Sequence, residues 1–312
     1  MLSRVADNLY WFSRYVRRAE NMARLVDVSS QMQLDLPRGA RIAWRPLVDT
    51  LGASAEFERL HGNEDAPSEA EVVRFLLVDP QNPLALSSVV NGARETLRTV
   101  RETLPQDCWV AINDLHLYME SDAERASSRR HRQSFLGRII DGCMQVSALL
   151  TANVSRDTGF QFLRLGTAIE QADMTSRIID TAAAGLIQAR SEDDAEAFQA
   201  MQWMSVLQSL AAYQMYRRHL RQKVSVELAL EFLLKNREFP RSVLFCLSRI
   251  QGILPQMPPR RQVEQAFRSA MGLVFDANPS RLAAGGPCGF VDRLQGELAA
   301  LHAAVDESYF RA

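Results

Sequence analysis

The chain has 312 residues, 47% of them hydrophobic and 23% charged, with a formal net charge of −1. That length admits one large domain or two ordinary ones and supplies ample material for a core. Balanced charge excludes a global attraction to nucleic acid, to an anionic membrane or to acidic substrates.

The first periodic stretch is 9–27, LYWFSRYVRRAENMARLVD. Leu9, Phe12, Val16, Ala19, Ala23 and Val26 step by three and four, so they share one face of a helix. The next residue round lies about 100° further on. A polar stripe of Ser13, Arg17, Glu20, Arg24 and Asp27 therefore borders the apolar face. A second copy stands at 162–180, FLRLGTAIEQADMTSRIID, displaced by 180 − 27 = 153. Its apolar face is Phe162, Leu165, Ile169, Ala172, Ser176 and Ile179, and its stripe is Gly166, Glu170, Asp173, Arg177 and Asp180. Each copy sets an acid four residues before an arginine, the favourable order on a helix. Glu20–Arg24 and Asp173–Arg177 are read either as clamps between helices or as parts of a polar groove between the copies.

Residues 36–39, LPRG, break the first helix, and a second is expected around Trp44. Its run WRPLVDTLGA recurs at Trp203 as WMSVLQSLAA, an offset of 203 − 44 = 159. A loop follows at 62–67, and Ser68 with Glu71 is a capping box. FLLVDPQNP at 75–83 recurs as FLLKNREFP at 232–240, offset 157, with Pro83 and Pro240 each expected to open the next helix. Helices are predicted over 84–104, 107–119 and 135–154, with a polar stretch at 121–132. FLGR at Phe135 matches FVDR at Phe290, offset 155.

Four matches in the same order point to a tandem duplication with its seam near Asp157, giving halves 1–156 and 157–312 of about six helices each. Strand-type alternation is nearly absent. The expected fold is all-α, an internally duplicated pseudo-twofold bundle of about twelve helices. No Gly/Ser-rich linker lies at the seam, so the halves are expected to pack together with the striped helices near the axis. Arg17 and Glu170 occupy matched positions with opposite charge, which predicts an ion pair between them.

Chemistry is sparse. The five histidines show no HxxxH or HExxH spacing, and the single ExxH, Glu58 to His61, lacks a counterpart in the second half, where Arg217 and Leu220 stand. No metal is expected. There is no GxSxG elbow, and the only Gly-rich stretch, AAGGPCG at 283–289, fits neither GxxxxGK[ST] nor GxGxxG. No cofactor is expected. The cysteines 108, 143, 246 and 288 are scattered and read as reduced, mostly buried thiols. Basic runs at 125–132 and 217–223 read as solvated turns, or as docking surfaces for an acidic partner, ahead of nucleic acid. The N-terminus lacks a signal-type apolar core, and no stretch approaches 18 uninterrupted apolar residues. The expectation is a soluble, cytoplasmic protein, outside the membrane.

RYVRRAENMARLVD and LGTAIEQADMTSRIID resemble the two signatures of the bacterial alpha-E family, roughly GRYxERAExxAR and LGxxIERADMTxRxLD. FLLVDPQNP, the following NGARE at 91–95, and FPRSVLFCL at 239–247 are also similar to that family. The resemblance spans essentially the whole chain. Two positions depart from it: the first signature Glu is Arg17 here, and the second ER pair ends in Gln171. The resemblance implies an all-helical protein encoded beside an ATP-grasp peptide ligase, with transglutaminase-like and Ntn-type peptidases as further neighbours. Together with the absence of any complete catalytic constellation and the balanced charge, those implied neighbours lead to the expectation of a non-catalytic partner that binds or positions the ligase or its peptide substrate. The alternative is an enzyme or ligand-binding protein whose groove, built from Glu20, Arg24, Asp173, Arg177 and Glu170, takes an amino acid or peptide; the candidate binding or interface stripe as a whole is Arg17, Glu20, Arg24, Asp27, Glu170, Asp173, Arg177 and Asp180.

Overall fold

The computed structural model describes residues 3–37, 40–62, 66–183, 185–188 and 195–311. Helix α1 (Ser3–Asp35) carries the first signature, and all six apolar-face residues from Leu9 to Val26 are buried. Helix α9 (Thr158–Ala183) carries the second; Phe162, Leu165, Ile169, Ala172, Ser176 and Ile179 are buried there too. Burying one large apolar side chain is worth about 1.5–3 kcal/mol, so each face holds its helix strongly. α1 and α9 pack on each other, and the remaining helices are arranged around that pair.

After α1 come a two-residue strand β1 (Arg41–Ile42) and helices α2 (Arg45–Thr50), α3 (Ser54–His61), α4 (Glu69–Leu77) and α5 (Leu86–Thr99). A 3-10 turn (Arg101–Thr103) leads into α6 (Gln106–Ser121), α7 (Ala123–Ser127) and α8 (Arg129–Asn153). After α9 the succession is β2 (Ile187–Gln188), α10 (Ala195–Ser209), α11 (Tyr213–Leu220), α12 (Val226–Leu230) and α13 (Val243–Ile253). A 3-10 turn (Leu254–Gln256), α14 (Arg261–Phe275), α15 (Pro279–Gly285) and α16 (Cys288–Val305) follow, and short π-helical segments continue α12 (Glu231–Lys235) and α16 (Asp306–Phe310). β1 and β2 pair antiparallel, Arg41 opposite Gln188 and Ile42 opposite Ile187. α5 and α8 flank α1, while α13 and α16 flank α9.

The chain is all-α, with sixteen α-helices among the described residues rather than twelve. The surplus consists of pieces such as α2, α7, α12 and α15, five to seven residues long. Two turns or fewer cannot display a 3.6-residue period.

The capping box forms as read: Ser68 Oγ accepts from Glu71 N, and the Glu71 carboxylate accepts from Ser68 N at 2.9 Å. Pro83 and Pro240 do not open helices. They sit in turns ahead of the true caps, Ala85 and Ser242. Asp79 and Asn236, 157 apart, shape those turns by accepting from the amides of Gln81 at 2.9 Å and Glu238 at 2.8 Å. Such Asx turns compete with helical hydrogen bonding and delay the helix start. The helix expected to run to 104 ends at Thr99. Of the breaks expected at 36–39 and 62–67, residues 38–39 and 63–65 lie outside the described residues.

Cys108, Cys143 and Cys246 are buried and Cys288 is exposed, all four free. Among the described residues one helix, α8, is long and apolar enough by length and composition to cross a membrane. In the fold its Phe135, Leu136, Ile139, Cys143 and Val146 are buried, and it packs against α1 and α6.

Candidate functional site

The two striped helices meet at Gly166. A Cβ there would lie 2.3 Å from Ser13 Oγ and 2.4 Å from the Tyr10 carbonyl oxygen, so only glycine permits this approach. It brings the charged residues of both helices into one seam.

Glu170 on α9 is fully buried. Its Oε2 accepts from Arg14 Nε at 2.7 Å, and its Oε1 from Arg18 Nε at 2.6 Å. Burial alone would push this carboxyl up; Arg18 and Arg14 override it and hold it at about 2. Arg14 is itself buried, and its guanidinium lies 5.0 Å from the Trp11 ring centroid. Arg14 Nη1 also donates to Tyr10 Oη at 3.3 Å. Tyr10 Oη is 2.9 Å from His302 Nδ1, and the two rings stack. Burial raises Tyr10 to about 12, so the phenol keeps its proton and donates it to His302. Burial, with Arg14 next, lowers His302 to about 4, which leaves the imidazole neutral with its proton assigned to Nε2.

Glu20 on α1 is the centre of a second cluster and equally buried. It accepts from Arg17 Nη1 at 2.6 Å, from Arg24 Nε at 2.9 Å and from Arg241 Nη2. Burial again raises the carboxyl, and Arg17, Arg241 and Arg24 together hold it at about 2. Arg241, two residues before α13, also donates to Asn21 Oδ1 at 3.2 Å. Its carbonyl oxygen accepts from Thr175 Oγ1 at 2.8 Å, and that hydroxyl in turn accepts from Gln171 Nε2.

The other stripe residues make no hydrogen bond to either carboxylate, although Asp173 is near enough to act on the charges of Arg14 and Arg18. Arg177 Nε donates to Asp173 at 2.8 Å, and its Nη1 reaches the Thr50 carbonyl at 3.3 Å. Asp27 accepts from Gln31 at 2.8 Å through one oxygen, while the other is buried without a partner, and burial raises its carboxyl. Asp180 is raised by burial and then by Asp292, and stands beside Cys288.

Of the eight stripe residues, the structure thus unites Arg17, Glu20 and Arg24, keeps Asp173 with Arg177, and separates Glu170, Asp27 and Asp180. The expected Arg17–Glu170 pair does not form. Arg14 and Arg18, one helical turn apart, face Glu170, whereas Arg17 is rotated away and bonds within its own helix. Arg14, Arg18 and Arg241 were absent from the stripe because it follows one edge of each helix. His302 had no signal in the sequence, its partner lying 292 positions away.

The charge of the seam is unbalanced toward guanidinium. Five guanidinium groups (Arg14, Arg17, Arg18, Arg24, Arg241) meet two carboxylates (Glu20, Glu170), a surplus of 5 − 2 = 3 positive charges. Both acids are ionised and fully engaged, so neither is poised for proton transfer near neutral pH. Burial pushes the Cys143 and Cys246 thiols up, away from nucleophilic thiolate. Elsewhere, Glu58 is taken by Arg45 and His61 stacks on Phe57. Among the described residues no three His, Cys, Asp or Glu side chains converge as metal ligands.

The family model named Alpha-E, described as a predicted alpha-helical domain with a conserved ER motif, matches residues 1–310. An uncharacterised protein of Mycobacterium bovis and two of Mycobacterium tuberculosis are each 24% identical over 286 residues, covering 84% of this chain and 31% of their own. The chain therefore spans about a third of the length of these curated relatives. No solved structure matches.

Proposed function

We infer a function from the premise that this chain belongs to the Alpha-E family. We propose that it is a non-catalytic helical partner of an ATP-grasp peptide ligase, binding or positioning the ligase or its peptide substrate for amide-bond formation. The observation that carries this reading is the saturation of Glu20 and Glu170 by arginine: the buried acids are spent on structure, and what the seam has in surplus is guanidinium. Guanidinium suits recognition of carboxylate and phosphate, the groups that ligases of this class handle. The relatives support a partnership differently. In them the matched region is about a third of a longer polypeptide, so it is built beside other segments.

The tandem halves, 1–156 and 157–312, are read as diverged copies acting together. Transglutaminase-like and Ntn-type peptidases, implied by the family resemblance, are further candidate partners. The alternative, an enzyme or ligand-binding protein whose polar groove takes an amino acid or peptide, is left with binding through its arginines, because the same saturation takes Glu20 and Glu170 out of acid–base work.

The deciding experiment is co-purification with an ATP-grasp ligase of the kind that the family resemblance implies as a neighbour, with ATP consumption measured for each alone and for both together. A complex with raised turnover supports the proposal. If the ligase neither binds this protein nor changes its rate, the proposal fails.

A further inference from the structure

Beside the Glu20 cluster lie two cavities, of about 190 Å³ and about 110 Å³, which share Arg17, Thr167 and Arg249 in their walls. The larger also has Arg241 and Gln171; the smaller has Arg164. Three arginines thus line each cavity, and among the described residues Glu20 is the one carboxylate ion-paired to any of the four; it is already shared by Arg17, Arg24 and Arg241. Arg17 Nε is buried without a hydrogen-bond partner. Among the described residues Arg164 donates to an amide oxygen, Gln161 Oε1 at 3.0 Å, lies over the face of Phe160 and makes no ion pair. Among the described residues Arg249 makes no ion pair. Burial lowers the Arg249 pKa, and the neighbouring Arg164 and Arg17 lower it further, a repulsion that a bound anion would relieve. Such a concentration of cations is costly unless something negative occupies it.

The walls decide what kind of anion. Besides Arg17, Thr167 and Arg249, the smaller cavity is lined by Val16, Leu150, Phe160 and Leu163 together with Ser13, Ser147, Thr151 and Arg164, so part of its wall is apolar. An inorganic oxyanion would gain nothing from that apolar surface, whereas an aliphatic side chain next to a carboxylate would fill it. We propose that the paired cavities bind the free carboxylate end of a short peptide or amino acid, the carboxylate among Arg17, Arg241 and Arg249 and the adjacent apolar side chain against Leu150, Leu163 and Phe160. This deepens the reading of the protein as a ligase partner by giving it a substrate contact of its own.

The test is calorimetric titration of the isolated protein, in a buffer free of phosphate, with N-acetyl-alanyl-leucine, with its C-terminal amide, and with inorganic phosphate. The acid binds saturably; the amide, lacking the charge-assisted hydrogen bonds, binds at least about tenfold more weakly. Arg249 keeps access to solvent although protein packs closely round its guanidinium, so Arg249→Gln keeps the unfolding midpoint while weakening the acid about tenfold, and Arg249→Glu abolishes binding. Three results overturn the proposal: no saturable binding up to about 10 mM, equal binding of acid and amide, or binding of phosphate without the acid. Since the ligase is absent from the titration, loss of this site with the complex intact removes the pocket alone.

Discussion

Arg18 Nε donates to Glu170 Oε1 at 2.6 Å, joining α1 to α9 across 152 positions of sequence. Positions 17 and 170 are 153 apart, and so are 18 and 171. The counterpart of this bridge would therefore link residues 171 and 17, which are Gln and Arg here. The pattern that the chain resembles has Arg and Glu at those places. One bridge forms where that pattern would allow two, and Arg17, released from it, turns to Glu20.

Glu170→Gln should be the most damaging change in the seam. It strands Arg14 and Arg18 without their counter-charge, and breaking a buried pair from one side costs about 3–5 kcal/mol. Arg14→Ala should cost less, and Arg18→Ala least, since the Arg18 side chain is 23% exposed against 7% for Arg14. Urea denaturation of the three variants gives the order; a Glu170→Gln protein as stable as the parent would contradict it.

The matched charges at 17 and 170 suggest a swap that the geometry rejects. Arg17→Glu sets a carboxylate against Glu20, and adding Glu170→Arg then sets a third guanidinium against Arg14 and Arg18. The double variant should be less stable than either single one. Recovery in the double-mutant cycle would mean that the two side chains do interact.

Gly166→Ala tests the helix crossing. The added methyl meets backbone, the Tyr10 carbonyl, as well as the Ser13 hydroxyl, so α1 and α9 must separate. Overpacking of this kind costs about 1–3 kcal/mol, where an exposed Gly-to-Ala change in a helix would stabilise. The thermal midpoint should fall. A rise would show that the helices have room to spare.

Acid should lower the protein's stability over two successive pH ranges. His302 is held at about 4 by burial and Arg14, against an ordinary 6.5. Between those values the unfolded chain takes up a proton that the folded chain refuses, so stability drops by roughly 1–3 kcal/mol as pH falls through this window. Glu20 and Glu170 act below it: from 4.5 down to about 2 their ionised folded forms lose their advantage. Asp7, raised by burial and by Asp306, works in the opposite sense. His302→Gln should flatten the first stage and leave the second. Denaturant midpoints between about pH 7 and about pH 4 measure it, and an unchanged slope in the variant would assign the first stage to other groups.

Much of this architecture could be read beforehand because it rests on local regularities. The apolar faces of α1 and α9 need only a 3.6-residue period, and Ser68–Glu71 only a four-residue pattern. Glu20–Arg24 and Asp173–Arg177, four apart on one helix, form as anticipated. Contacts that depend on helix rotation were out of reach. Which arginine of RYVRR faces Glu170 is settled by a turn of about 100° per residue, set by packing at Gly166. Arg241 was visible within FPRSVLFCL, but its approach to Glu20 is a tertiary event 221 positions long. The short helices escaped because proline and Asx turns interrupt the pattern before a period can show.

The contact of Ser13 with Gly166 has a consequence for how such a chain could arise. These residues stand at equivalent places, 153 apart, and they touch each other. Two serines there would collide; two glycines would forgo the Ser13 hydroxyl, which donates to the Tyr10 carbonyl at 2.8 Å. Two identical halves could not close this seam as it is closed here. If the halves descend from one ancestor, their unlikeness at the centre is a condition of the single-chain form, one half supplying the gap and the other the group that fills it.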